Sequence, residues 1–245
     1  MTVFQPPKLF EQLWEPIFLI LLLVALVGLG SSLYLLAPQK RGPYRPAVAW
    51  NIAGIVILGY FLISWLTGVL KTILSQPLIR EGQLADPQWV AFTSGCFLVV
   101  VVGYWVIWPK GTLTHGRKLS LTAIFTFGIL WGLGEGQFLM SILAIVERFN
   151  LSLLWTGFIA YFLIAAFKGA WQSLFWDIYV SPEHNIEEWN GPKVLFVHTP
   201  NMIFSLTYVL LYENVAIFVL LQIIALVGST YFMHFPPFWS QPQES

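Results

Sequence analysis

The amino-acid sequence predicts an all-helical integral membrane protein, and three observations carry that prediction. Hydrophobic residues make up 57% of the 245-residue chain and charged residues only 10%, whereas a soluble domain carries about 25% charged residues. The mean hydropathy is +0.73. Seven stretches approach the ~20 apolar residues that a helical span needs, at 16–37, 47–70, 88–108, 119–146, 151–176, 194–211 and 214–232. We therefore expect one transmembrane domain over residues 1–245.

The composition also excludes several classes of protein. Twelve basic and twelve acidic side chains give no net charge, so the basic face that a nucleic-acid-binding protein needs is missing. The same scarcity of charge excludes a soluble enzyme. The single cysteine, Cys96, allows no internal disulfide and so excludes a disulfide scaffold.

The connections between the spans predict the orientation in the membrane. Cytoplasmic connections carry the excess of lysine and arginine, and here the first and third connections are the basic ones, through Lys40, Arg41, Arg45, Lys110, Arg117 and Lys118. We therefore expect the N-terminus outside and the C-terminus in the cytoplasm. The expected location is a bacterial inner membrane or an equivalent endomembrane.

The fourth and fifth spans are predicted to form a helical hairpin, because only residues 147–150 separate them. Gly128, Gly132 and Gly136 recur every four residues and form a face of small side chains suited to close helix contact. We expect this face to pack on the small residues of the fifth span, around Ala165 and Ala166. It is also a candidate surface for a helix of a partner protein.

Glu135 is the leading candidate for a functional residue, because ionisable groups inside a span are costly and are functional candidates by default. Close packing beside the glycine face predicts a buried, neutral carboxylic acid that could donate a proton. The alternative is a structural glutamate that pairs with Lys168 of the fifth span. For Lys168 we favour an ammonium that extends towards the cytoplasmic head groups, where it could bind an anionic group.

Residues 176–201 hold the second group of candidates. Ser181 and Pro182 are typical of a helix start, and Asn190 and Gly191 of a helix end. The pattern predicts a short interfacial helix at 182–189. Its His184 could act with Asp177 and with His198 at the cytoplasmic end of the pocket.

Histidine and carboxylate side chains are also metal ligands. Four residues of this region could in principle hold zinc or iron: His184, Glu188, Asp177 and His198. No recognised metal-binding spacing is present, so we favour a metal-free acid–base cluster, and the sequence requires no cofactor.

Pro200 lies near the start of the sixth span and removes a backbone donor, which frees the carbonyl of Phe196. Such a break could turn His198 and Asn201 towards a cavity, or could be a simple kink. Gln222 in the seventh span and Asn51 in the second span are expected to make hydrogen bonds between helices.

These candidates predict an intramembrane enzyme that acts on an isoprenoid or another lipid by acid–base chemistry, of the cyclase or isomerase type. The expected catalytic residues are Glu135, Asp177 and His198. The substrate-binding set is expected to comprise Trp131, Lys168, Trp171, Gln172, His184 and Asn201. The size and helix count resemble those of membrane-bound terpene cyclases, without a shared motif. The alternatives are a small proton-coupled transporter and a non-catalytic membrane subunit for assembly or interaction.

Overall fold

A computed structural model describes residues 46–110, 118–177 and 194–234, and every regular element in these ranges is a helix. The predicted span at 16–37 and the interfacial helix at 182–189 lie outside the described residues. The helices are α1 (Pro46–Leu66), α2 (Val69–Ser75), α3 (Pro87–Ile107), α4 (Leu121–Glu147), α5 (Leu153–Asp177), α6 (Val194–His198 followed by Thr199–Tyr212) and α7 (Val215–Met233). A 3₁₀ turn, Gln83–Ala85, precedes α3.

Within the described ranges, three helices are long and apolar enough to cross a membrane: α3, α4 and α7. The bent pair of α1 and α2 makes a fourth if it counts as one span, and α5 contains a shorter apolar stretch, Leu153–Lys168. The described part of the chain is therefore all-helical and carries three or four candidate spans. The count of seven and the orientation of the termini stay predictions.

The second span is not the continuous helix that the sequence predicts at 47–70. α1 ends at Leu66 and α2 leaves it at an angle of 76°. The break is at Gly68, whose φ of 77° lies in the left-handed region that glycine adopts without strain. The Thr67 hydroxyl contacts the carbonyl oxygens of Ile63 and Ser64, so the side chain offers these carbonyls a donor beside the break.

Side-chain caps define where the spans begin. Asp86 accepts a hydrogen bond from the backbone N–H of Gln88 at the start of α3, and Pro87 occupies the first helical position. Asn214 caps α7 through Ile217 and also donates to the carbonyl of Leu78. This second bond ties the start of α7 to the connection between α2 and α3.

α4 is the central helix. In its most apolar stretch of 18 residues, 78% is buried inside the protein, compared with 28% for the corresponding stretch of α3. It packs along its length against α7 and also contacts α1 and α5. Two pairs of polar side chains join it to α1: the Ser64 hydroxyl donates to Gln137 at 2.7 Å, and the hydroxyls of Thr67 and Ser141 lie 2.8 Å apart. Groups placed on the inner face of α4 are thus shielded on several sides.

The glycine face of α4 packs on α7 of the same chain, and the prediction that it packs on α5 is wrong. A Cβ atom added at Gly128, Gly132 or Gly136 would lie 3.0, 2.8 or 3.1 Å from the Cα atoms of Val227, Ile223 and Val219 respectively. Ala165 and Ala166 of α5 are exposed instead. Backbone-to-backbone contact of this kind requires glycine, and the glycine spacing did not reveal which helix would use it.

Candidate functional site

Glu135 lies on the inner part of α4 and forms an ion pair with Lys168 of α5. The Oε1 atom of Glu135 is 3.0 Å from Nζ of Lys168, and the two side chains are 8% and 14% exposed. The Lys168 ammonium also donates to Oε1 of Gln222 on α7 at 3.4 Å. A carboxylate, an ammonium and an amide from three helices therefore meet inside the bundle.

This contact is the alternative of a glutamate paired with Lys168, and it takes the place of the expected Lys168 side chain that extends to the head groups. Glu135 lies twelve residues before the end of α4, and Lys168 lies fifteen residues after the start of α5. At ~1.5 Å per residue the difference in depth is only about 4.5 Å, which a lysine side chain can span. The pair can form because the connection between the helices, residues 148–152, is short and leaves Glu135 and Lys168 at similar depths in the bundle.

An aromatic side chain, Trp131, contacts the carboxylate of Glu135. The indole N–H of Trp131, one turn earlier on α4, donates to Oε2 at 3.2 Å. The Trp131 ring stacks on Phe127 at 5.5 Å and meets the edge of Tyr60 at 6.1 Å. Trp131 therefore does touch the predicted acid, and it does so through a hydrogen bond.

His198 and Asn201 of α6 meet at a residue that the sequence analysis did not single out, Tyr104 of α3. The Tyr104 hydroxyl is 2.6 Å from Nδ1 of His198. Nδ2 of Asn201 donates to the same hydroxyl at 3.4 Å, and the Ser205 hydroxyl donates to Oδ1 of Asn201 at 3.0 Å. Asn201 and Ser205 have no exposed surface, so this hydrogen-bonded group belongs to the interior.

Tyr104 and His198 both lie on π-helical turns, at Val102–Ile107 and Val194–His198. The two turns touch, since a Cβ atom added at Gly103 would lie 3.1 Å from Cγ1 of Val197. The turn in α6 ends at His198, two residues before Pro200, as expected from a proline that interrupts the hydrogen-bond ladder. Single π turns within α-helices are frequent at functional sites.

The two groups of polar residues are neighbours. The ammonium of Lys168 lies within electrostatic range of both the Tyr104 hydroxyl and the His198 imidazole. We refer to the combined set as the central polar cluster: Glu135, Lys168 and Gln222 on one side, and Tyr104, His198, Asn201 and Ser205 on the other. Glu135 and His198, which come from distant segments, thus both contribute to this cluster, whose two sides Lys168 couples electrostatically.

Several predicted site residues cannot be placed in this region. The backbone of α5 is described as far as Asp177, but nothing is described of the side chains of Trp171, Gln172 and Asp177, and His184 and Glu188 lie outside the described residues. In the parts of the chain that are described, no group of three or more metal-binding side chains occurs. The metal hypothesis therefore stays untested.

Sequence reasoning missed Tyr104 and Ser205 as members of the cluster and expected of Gln222 only a hydrogen bond between helices. That bond is present, with Lys168 of α5 as its donor. Tyr104 lies in the aromatic-rich segment GYWVIW at the end of its span, where tyrosine is typical of the membrane interface. Nothing in the local pattern separates such a residue from one that turns inward.

The fold and the cluster define an all-helical protein with membrane-compatible helices and a buried, partly ionised cluster between them. Comparison with protein families, with curated proteins and with solved structures gives no match.

Proposed function

We propose that the protein is an intramembrane enzyme that isomerises or cyclises a hydrophobic substrate, such as an isoprenoid or another lipid, by proton transfer. The observation that carries this proposal is the contact between Tyr104 and His198, 2.6 Å apart and next to a buried ion pair. Intramembrane charge is retained at a cost, and it is a functional candidate for that reason.

The chemistry follows from the two proton-carrying side chains. The imidazole of His198 can give a proton to the substrate on one side while it takes the hydroxyl proton of Tyr104 on the other. Negative charge then develops on the Tyr104 oxygen, where the Lys168 ammonium and the Asn201 amide stabilise it. Return of a proton from another carbon of the substrate restores both residues, so no co-reactant is consumed.

In this proposal the Glu135–Lys168 pair sets the electric field and Trp131 offers an aromatic face to the substrate. The carboxylate holds the ammonium in place at 3.0 Å. Trp131 is itself held by its bond to Glu135, and an indole face can stabilise a cationic intermediate. Glu135 thus acts through Lys168 and Trp131 and is a positioning residue.

The test is solvent-deuterium incorporation into membrane lipids. The purified full-length protein in lipid nanodiscs, loaded with a total lipid extract, is incubated in D₂O, and the lipids are analysed by mass spectrometry. Proton-transfer chemistry places deuterium on carbon in one lipid species. We expect His198→Ala and Tyr104→Phe to reduce the labelling at least a hundredfold, in line with the usual contribution of a general acid or base.

Ser64→Ala is the matched control, because it removes a buried hydroxyl that bonds only across α1 and α4. It should leave the labelling unchanged. The proposal is rejected if no lipid is labelled, or if labelling survives both His198→Ala and Glu135→Gln.

A proton-coupled carrier is the second candidate, and one observation favours it. The Glu135–Lys168 ion pair connects α4 to α5, and protonation of the carboxylate would break this ion pair. In proteoliposomes with an imposed pH gradient, a carrier would give proton flux that depends on an added lipid extract and is lost in Glu135→Gln. Flux that is equal in wild type and variant would exclude this reading.

The finer architecture is also part of the proposal. Seven spans, an outside N-terminus and a cytoplasmic C-terminus would bring the basic connections to the cytoplasmic side. His198, at the start of α6, would then face the cytoplasmic half of a plasma membrane or an equivalent endomembrane.

A further inference from the structure

Four side chains form a hydrogen-bonded chain that ends at His198. The Ser205 hydroxyl donates to Oδ1 of Asn201, Nδ2 of Asn201 donates to the Tyr104 oxygen, and that hydroxyl lies 2.6 Å from Nδ1 of His198. Three of the four residues are on α6 and one is on α3. The amide of Asn201 has separate donor and acceptor atoms, and it gives the chain a direction.

The direction follows from the asparagine. An amide accepts only at its oxygen and donates only at its nitrogen, so a bond from Ser205 to Oδ1 turns Nδ2 towards Tyr104. The Tyr104 oxygen then acts as an acceptor for Asn201, and its single proton is available for His198. The Nδ1 atom of His198, 2.6 Å from the Tyr104 oxygen, is the acceptor that the described residues offer this proton.

We propose that this chain holds the His198 imidazole in the tautomer that carries its proton on Nε2. With the proton on Nδ1 instead, Asn201 and His198 would both donate to the Tyr104 oxygen, and the buried Tyr104 hydroxyl proton would have no acceptor among the described residues. Asn201 and Ser205 are then positioning residues for His198. That role rests on the proposed function, whereas the tautomer is a property of the fold alone.

The tautomer can be measured by ¹⁵N NMR on the full-length protein, labelled in its histidines and embedded in lipid nanodiscs. The His198 signals are assigned by their loss in His198→Gln. We expect a non-protonated Nδ1 and a protonated Nε2. A protonated Nδ1, or two protonated nitrogens, would overturn the proposal.

Variants test the chain link by link. Tyr104→Phe removes the donor to Nδ1 and should lower the ratio of the Nε2-protonated to the Nδ1-protonated form about tenfold, the equivalent of one hydrogen bond. Ser205→Ala should lower it less, and Ser205→Thr, which keeps the hydroxyl, should restore it. Ser229→Ala is the control, since that buried hydroxyl bonds only to the carbonyl of Ala225.

An unchanged ratio in both Tyr104→Phe and Ser205→Ala would show that the chain does not set the tautomer. If Tyr104→Phe does not fold, the serine variants alone decide. A wild-type Nε2 tautomer without any deuterium labelling of lipids would leave this inference standing while the proposed enzyme activity fails, so the two failures are distinguishable.

Discussion

At the scale of single residues, the two buried charges of the central polar cluster are paired and bonded. Glu135 has a partner at each carboxylate oxygen, Lys168 at one and Trp131 at the other. Pairing of this kind offsets the cost of taking both charges out of water, although an apolar pair of similar volume can do equally well. The consequence for stability is a large difference between removing one partner and removing both.

We expect Glu135→Gln and Lys168→Met each to lower the free energy of unfolding by about 3 kcal/mol, because each leaves an uncompensated charge in the interior. The double variant should recover most of this loss. The measurement is thermal unfolding in detergent micelles by circular dichroism. Lys110→Gln is the control, since Lys110 is exposed. A single variant as stable as this control would contradict the prediction.

Glu147 presents the opposite situation at the end of α4. Both of its carboxylate oxygens are buried without a hydrogen-bond partner among the described residues, and burial and the carboxylate of Glu213 disfavour its charge more than the guanidinium of Arg148 favours it. A buried charge without a bonded partner is costly, so Glu147→Gln should raise the free energy of unfolding by about 1 kcal/mol. The comparison is with Glu81→Gln at an exposed position, in the same unfolding measurement, and a loss of stability would refute the expectation.

At the scale of helices, the contact between α4 and α7 depends on the absence of side chains. The smallest separation is at Gly132, where an added Cβ atom would lie 2.8 Å from the backbone of Ile223. Neither backbone can move without moving its helix, so the strain cannot be relieved by a change of side-chain rotamer. The same contact brings Gln222 of α7 to Lys168, which means that the central polar cluster depends on this packing.

Gly132→Ala should therefore cost about 1–3 kcal/mol of stability, as overpacking of a close contact does. Gly54→Ala is the matched control on α1, since no atom lies within 4 Å of the Cβ that it adds, and it should be neutral or slightly stabilising. Thermal unfolding midpoints of the two variants test the difference. Equal midpoints would show that α7 shifts without cost.

At the scale of the whole molecule, the central polar cluster joins five helices: α3 through Tyr104, α4 through Glu135, α5 through Lys168, α6 through His198 and α7 through Gln222. α6 contributes three side chains to the cluster, and each of the other four helices contributes one. The outward faces of α1 and α5 carry exposed apolar residues, among them Leu58 and Phe162 at 70% and 65% exposure, as helices surrounded by lipid do.

The expected orientation can be tested by labelling single cysteines in right-side-out membrane vesicles, in a Cys96→Ala background. Ser152 and Lys118 are both exposed; Lys118 lies just before the start of α4 and Ser152 just after its end. We expect a membrane-impermeant maleimide to label Ser152→Cys in intact vesicles and Lys118→Cys only after permeabilisation, because basic connections remain in the cytoplasm. The reverse pattern would invert the proposed topology.

The sequence by itself determined the helical, membrane-compatible class and most helix boundaries, because a span is a local property: about 20 apolar residues, ended by prolines and charges. It also identified Glu135, Lys168 and His198 as candidates, since polar groups in apolar segments are conspicuous without any structure.

Only the tertiary structure decided which of them meet. The break at Gly68, the use of the glycine face by α7 and the place of Tyr104 depend on the relative rotation and depth of helices. Contacts between segments that are distant in the chain leave no periodic signal in the sequence, so the central polar cluster could be assembled only from the packed helices.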